Sequence, residues 1–179
     1  LVCNPGAGGR WQQLADILDS EEAQHARRIV TDEIEDITAS LRRLGDAAKL
    51  ICIYGGDGTI LKFLNSIFPA TREEPPLMAF IGGGTMNVSA RWSGWTKRPS
   101  VNFARVIRQY MEDRLIARDV PLLEVTQGDT TRYGFTFGLG PSVRVLNEYE
   151  NAPKGKTAAL VWAAKTIAAG VIIAGPQWA

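Results

Sequence analysis

The chain has 179 residues, enough for one ordinary domain or for one complete domain with part of a second. Apolar types make up 45% and charged types 22%, which excludes a disordered tail, and a formal charge of +1 gives no global pull toward nucleic acid. Two cysteines, Cys3 and Cys52, both in apolar runs, and a single histidine, His25, argue against a disulfide framework, a Cys-based zinc site and any site needing two histidines.

Leu1 opens in mid-run, with neither Met nor a signal peptide, so the chain is expected to be cut at its front. Residues 1–3 read as the end of a strand, and Asn4-Pro5-Gly6-Ala7-Gly8-Gly9 as a turn that frees the backbone for close approach. Trp11, Leu14, Ala15 and Leu18 recur at helical spacing. Arg28-Ile29-Val30 is a short strand closing at Thr31, and residues 32–44 form a helix with Ile34, Ile37, Leu41 and Leu44 on one face. Residues 50–54 are a continuous apolar run bounded by glycines, as a strand buried on both faces requires. A helix over 59–68 follows, ended by Pro69, and residues 77–81 form another buried strand that stops at Gly82-Gly83-Gly84.

Strand, loop and helix alternating over short connections predict an α/β fold, an open and mostly parallel sheet flanked by helices. After Pro99 the pattern changes. An amphipathic helix over 101–114 carries Phe103, Val106, Ile107 and Tyr110. Two β-type segments, 117–126 and 131–137, hinge at Gln127-Gly128-Asp129, and helical spacing returns over 156–169. The boundary falls near residues 93–120, giving a nucleotide-binding α/β domain over 1–95. Residues 96–179 are the hinge helix and part of a β-rich second domain too short to close its own core. No apolar stretch reaches membrane-spanning length, because Lys165 and Gly170 interrupt the best candidate at 158–174.

In open parallel sheets ligands sit beyond the carboxyl ends of the strands, and three glycine-rich turns fall there. Gly55-Gly56-Asp57-Gly58-Thr59 lies between a buried strand and a helix. Its glycines remove the Cβ atoms that would bar a phosphate, and backbone N–H groups at the helix start supply positive partial charge. Asp57 is out of place in a pure anion cradle unless Mg²⁺ intervenes or a hydroxyl proton must be taken. The third turn, Gly82-Gly83-Gly84-Thr85-Met86-Asn87, repeats the layout with Thr85 and Asn87 as side-chain donors, and Thr85 also suits a helix cap. No Gly-x-x-x-x-Gly-Lys-Ser/Thr and no Gly-x-Gly-x-x-Gly spacing occurs, which argues against an ordinary P-loop and a dinucleotide-binding Rossmann enzyme.

Asn4-Pro5 with its glycines, Thr31 after the second strand, Gly55-Gly56-Asp57-Gly58-Thr59 and Gly84-Thr85-Met86-Asn87 together resemble the diacylglycerol kinase catalytic domain, the family of the bacterial lipid kinases and the sphingosine and ceramide kinases. The likeness continues more weakly through Arg118-Asp119-Val120, Gly138-Leu139-Gly140 and the helix near 155–167. The resemblance implies an ATP-dependent lipid kinase using Mg²⁺ and a lipid alcohol, cytoplasmic, in transient peripheral contact with a membrane, without nucleic acid and with a homodimer left open. It carries nucleotide contacts onto Asn4, Thr31, Gly55, Gly56, Gly58, Thr59, Gly84, Thr85 and Asn87, a catalytic role onto Asp57, and metal contacts onto Asp57 and Asp119. Val88 stands where many relatives carry Asp. The Asp-Gly-Glu motif that relatives place near the end of the second domain is not found, and the chain is expected to stop before it.

A nucleotide-binding module without catalysis and an NAD kinase-like enzyme are the alternatives. The second shares the Gly-Gly-Asp-Gly-Thr loop, but no counterpart is seen of the Asn-Glu pair by which NAD kinases hold their dinucleotide. His25 is expected on the surface, Cys3 and Cys52 in the core on adjacent strands, and Lys154 and Lys156 in a solvated loop. Asp32, Glu33, Glu35 and Asp36 suit the first turns of a helix. Trp92 and Trp95, flanking Gly94, are read as packing at the domain hinge in preference to a lipid-facing rim.

Overall fold

The computed structural model describes residues 1–7, 11–30, 38–39, 48–68, 76–95 and 97–136. The first glycine turn beyond Ala7, Thr31, most of the helix expected over 32–44, and everything from Phe137 onward, including Lys154, Lys156 and the helix expected over 156–169, lie outside the described residues. Residues Leu1–Phe135 form one compact unit and Thr136–Ala179 a second.

Four strands, β1 (Val2–Cys3), β2 (Ile29–Val30), β3 (Leu50–Gly55) and β4 (Leu77–Gly82), make a parallel sheet in the order β2-β1-β3-β4. The helices are α1 (Trp11–Leu18), α2 (Glu21–Gln24), α3 (Asp57–Ile67), α4 (Val88–Trp92) and α5 (Pro99–Met111). Because side chains alternate along a strand, each central strand feeds two cores. Cys3, Cys52, Tyr54, Ala79 and Ile81 pack with Leu14 and Ile17 of α1, Ala23 of α2, and Phe103, Val106 and Ile107 of α5. Val2, Ile51, Ile53 and Phe80 face the other way, onto Ile60, Phe63, Leu64 and Ile67 of α3 and Ala90 of α4. A parallel sheet covered on both faces explains why β3 is apolar at almost every position. His25 is exposed, and both cysteines are buried core residues on neighbouring strands, as expected.

Element ends depart from the sequence expectation for identifiable reasons. Helix α3 starts at Asp57, two residues early, because Gly56 is its cap residue and Asp57-Gly58-Thr59 its first turn. Helix α5 starts at Pro99, whose missing N–H costs nothing in a first turn. It stops at Met111 because the N–H of Asp113 bonds the Tyr110 carbonyl at 3.1 Å and that of Arg114 the Gln109 carbonyl at 2.7 Å, with Asp113 left-handed at φ 51°.

The hairpin pairs β5 (Leu123–Gln127) with β6 (Thr130–Gly134). Gly128, at φ 57°, takes the first corner of its two-residue turn. The expected strand from 117 begins only at Leu123, because Leu123 pairs with Gly134, the last residue of β6. The Asn65 side chain of α3 holds β6 through its whole amide: Nδ2 donates to the Tyr133 carbonyl at 2.8 Å and Oδ1 accepts the Tyr133 N–H at 2.9 Å. Phe68 against Tyr133, with centroids 5.4 Å apart, and Phe80 against Phe135, at 5.7 Å, complete that seam.

Candidate active site

The strand order places β2 to one side of β1 and β3 to the other, so the order of winding reverses across the β1–β3 gap while all strands stay parallel. The crevice beyond the carboxyl ends of those strands is where a doubly wound sheet binds its ligand. Three turns meet there, and side chains tie them together. Asn4 continues the β1–β3 ladder, its N–H bonding the Tyr54 carbonyl at 3.0 Å. Its Oδ1 accepts the Gly6 N–H at 2.8 Å, and its Nδ2 donates to Thr59 Oγ1 at 3.0 Å, bridging the first turn to the start of α3.

The second and third turns lie in close contact. The Gly83 N–H donates to the Gly55 carbonyl at 2.8 Å, extending the β3–β4 pairing. A Cβ on Gly84 would stand 2.5 Å from the Gly56 Cα, a backbone clash that no rotamer relieves. Glycine at 84 is therefore demanded by packing between the loops. Gly58 differs, because a Cβ added there would meet nothing within 4 Å. It is exposed, in the first turn of an 11-residue helix whose start has no side-chain cap. Unpaired N–H groups in a helix's first turn are suited to an anion, and Gly58 leaves open space beside them.

Asp57 is half-buried and holds the third turn in place. Its Oδ2 accepts the Val88 N–H at 3.1 Å, and its Oδ1 accepts the Ser89 N–H at 2.9 Å and the Ser89 hydroxyl at 3.0 Å. The first two donors open α4, so a carboxylate from α3 caps a helix 31 residues downstream. The cap expected of Thr85 comes from another element, and Thr85 itself is half-buried in the turn. Asn87 precedes α4 in the left-handed region at φ 52°. Its Oδ1 accepts the Gly84 N–H at 2.7 Å and its Nδ2 donates to the Gly84 carbonyl at 2.9 Å, closing the turn on itself. Ser89, the residue that sequence reasoning missed, carried no signal beyond being a polar residue near the third turn.

Of the residues singled out in sequence, Asn4, Gly55, Gly56, Asp57, Gly58, Thr59, Gly84, Thr85 and Asn87 belong to these three turns. Thr31 lies outside the described residues. Asp119 is exposed on the stretch without regular structure before β5, and among the described residues no hydrogen bond or ion pair joins it to the turns. No group of three or more His, Cys, Asp or Glu side chains that could hold a metal ion occurs among the described residues. Trp95 packs beside the core with the Arg105 guanidinium 5.9 Å from its ring centre, whereas Trp92 is 60% exposed and meets Phe135 in a T-shaped contact with centroids 5.7 Å apart.

Solved structures share this fold. Three solved chains from Bacillus anthracis strain Sterne, two assigned provisionally and one outright as a diacylglycerol kinase, are each 26% identical over 60% of this chain, with TM-scores of 0.50, 0.51 and 0.50. This chain spans only 37%, 40% and 38% of their respective lengths. No match is found among curated proteins. The model of the diacylglycerol kinase catalytic domain matches residues 1–119, which takes in all three turns and the sheet that carries them. By its sequence and by its fold, the chain belongs to the diacylglycerol kinase catalytic domain family.

Proposed function

We propose that the chain is the nucleotide-binding part of an ATP-dependent lipid kinase, which transfers the γ-phosphoryl group of ATP to a lipid hydroxyl. The observation that carries this reading is the uncapped start of α3 at the reversal point of the sheet, with open space at Gly58 and the loops on either side braced against it. Phosphoryl transfer asks mainly for positioning and charge neutralisation, and a rigid cluster of backbone donors supports both. Family membership supports the reaction class.

In this reading the backbone of Asp57, Gly58 and Thr59 takes the phosphates, while Asn4, Gly84, Thr85 and Asn87 shape the walls. Mg²⁺ would enter with the nucleotide, neutralising phosphate charge, since hard divalent ions are commonly held by one or two carboxylates together with substrate phosphates. Asp57 is the carboxylate at hand, and Asp119 the second we propose. The division into a nucleotide domain over 1–95 and an acceptor domain beyond it is part of the same proposal.

A second reading, nucleotide binding without catalysis, draws support from Asp57, both of whose oxygens already accept hydrogen bonds, and from Val88, which brings no second carboxylate. One pair of experiments separates the two. Calorimetry of this chain with ATP and Mg²⁺ should give saturable binding. The product of the whole reading frame, given labelled ATP and a panel of lipid alcohols, should label one of them. Binding without transfer would select the second reading, and absence of binding would sink both.

A further inference from the structure

Strand β6, the last among the described residues, meets helix α3 through one side chain. Glu124 and Tyr133 stand opposite each other in the hairpin, yet both backbone groups of Tyr133 bond Asn65. In an antiparallel pair the N–H and C=O of one residue point to the same side, so those of Tyr133 point away from β5, along the outer edge of β6. There the Asn65 amide, a planar group with donor and acceptor side by side, stands in for the next strand. Its Nδ2 also donates to the Leu61 carbonyl at 2.9 Å, so both amide hydrogens and Oδ1 are engaged and the group has a single arrangement.

One hydrogen bond would let the strand swivel, whereas two bonds from one planar group to one residue fix both its place beside α3 and its direction. Neighbouring rings tighten the hold. Phe68, at the end of α3, packs on Tyr133, and Phe135 packs on Phe80 of β4 and Trp92 of α4. Strand β6 is thus attached to the elements that carry the second and third turns. Asn65 lies about two turns, or about 12 Å of helix, beyond Asp57. One rigid helix therefore has the proposed phosphate turn at its start and the hold on β6 near its end. Phe135, next after β6, is the last residue of the first compact unit, and every residue beyond it is attached through this strand.

Stability alone would not call for this side chain. A leucine beside Phe68 and Tyr133 would add comparable burial, and the net worth of a hydrogen bond is modest. What only the amide supplies is direction. Phosphoryl transfer needs donor and acceptor groups held in one geometry, and a displacement of about 1 Å caused far from the chemistry can cost about 10²-fold in rate. We propose that Asn65 is a positioning residue for the transfer, fixing the start of the acceptor half of the chain to the helix whose first turn takes the phosphates. The proposal deepens the lipid-kinase reading and rests on it, because the acceptor half is part of that reading.

The test uses the product of the whole reading frame with labelled ATP and dioctanoylglycerol, sphingosine or ceramide in detergent micelles, taking whichever acceptor the native protein labels. Asn65→Leu, close to asparagine in size, should lower kcat by about 10²-fold per ATP site counted by calorimetry, and leave ATP affinity unchanged. Counting sites removes any misfolded fraction from the comparison. Asn65→Asp keeps an acceptor for the Tyr133 N–H but sets a carboxylate against the Tyr133 and Leu61 carbonyls. It gives the same reading should the leucine variant fail to fold. In this chain, exchange of the Tyr133 amide hydrogen, followed by NMR, should quicken about tenfold in Asn65→Leu, the loss of one hydrogen bond. Native kcat in both variants overturns the proposal, as does a loss of kcat matched by an equal loss of ATP affinity, which would make Asn65 merely structural. Unchanged Tyr133 exchange overturns it whatever the enzyme does. A native protein that transfers to no lipid, while Asn65 still governs Tyr133 exchange, overturns the kinase reading and with it the role in transfer, but not the hold itself.

Discussion

Gly58 offers a perturbation whose two consequences should have opposite signs. It lies in the first turn of α3, where glycine disfavours the helix by up to about 0.5–1 kcal/mol relative to alanine, less near an end. A Cβ there meets no protein atom within 4 Å, so Gly58→Ala has nothing to clash with. The substitution should stabilise the fold by roughly 0.5 kcal/mol, a rise of about 1–2 °C in melting temperature for a chain of this size. Should a phosphate rest on that turn, the same methyl occupies its approach and ATP affinity should fall by at least about tenfold, the loss of about one hydrogen bond to a charged group. Differential scanning fluorimetry without nucleotide and calorimetry with ATP read the two effects separately. A stabilised variant with undiminished ATP affinity would refute the assignment of this turn as the cradle. Gly56 is a poorer probe, since a Cβ there lies 3.3 Å from the Gly84 Cα and would push the second and third turns apart.

Asp57→Ala removes the acceptor of three donors and should lower the melting temperature by about 4–8 °C, from roughly 2 kcal/mol for a lost helix cap, even in EDTA without nucleotide. Asp57→Asn should lose about half as much, because a carboxamide has one acceptor oxygen for donors that now use two; an unchanged melting point in both variants would show that the cap contributes nothing. Burial pushes the thiol of Cys3 up to about 12 and that of Cys52 up to about 11, so both stay protonated in the fold beyond the pH at which they ionise in the open chain. Their contribution to stability is full below about pH 8.5 and declines as pH rises toward those values. The urea midpoint should therefore fall between pH 8 and pH 10 by more in the native chain than in a Cys3→Ala, Cys52→Ala variant, and an equal fall in both would contradict it.

Much of the fold was legible because a parallel strand covered on both sides leaves a strong trace. The runs at 50–54 and 77–81 admit few other readings, and β3 and β4 exceed them by one residue each. The start of α3 was misplaced because glycine argues locally against helix, while here Gly56 is the cap and Gly58 sits inside the first turn. The three turns could be named as one site from topology alone. Their cross-links could not, since Asn4 to Thr59 and Asp57 to Ser89 join residues 55 and 32 apart and leave no periodic pattern. The Asn65 amide reaching Tyr133 is of the same kind. One trace did exist. A carboxylate within an apparent anion cradle was anomalous, and the anomaly marked a side chain with a partner elsewhere.

That partner changes the electrostatic argument about Asp57. Read from sequence, its charge called for a cation between it and a phosphate, with no lysine in the turn to supply one. The structure supplies two backbone N–H groups from the start of α4 and a hydroxyl, all directed at the carboxylate. Hydrogen bonds to an ionised acceptor are roughly twice as strong as neutral ones, and they draw its charge toward α4. The charge is thus partly answered before any ligand arrives, and the Coulomb argument alone no longer demands Mg²⁺ at Asp57. A metal contact there rests on kinship, whereas the cap rests on three bonds. The EDTA melting experiment is informative for this reason: the cap contributes in apo protein, and a metal contact only when the ion and its phosphates are present. A variant that melts normally without metal yet no longer gains stability from ATP with Mg²⁺ would put the ion first; an early melt in EDTA puts the cap first, with any metal role built upon it.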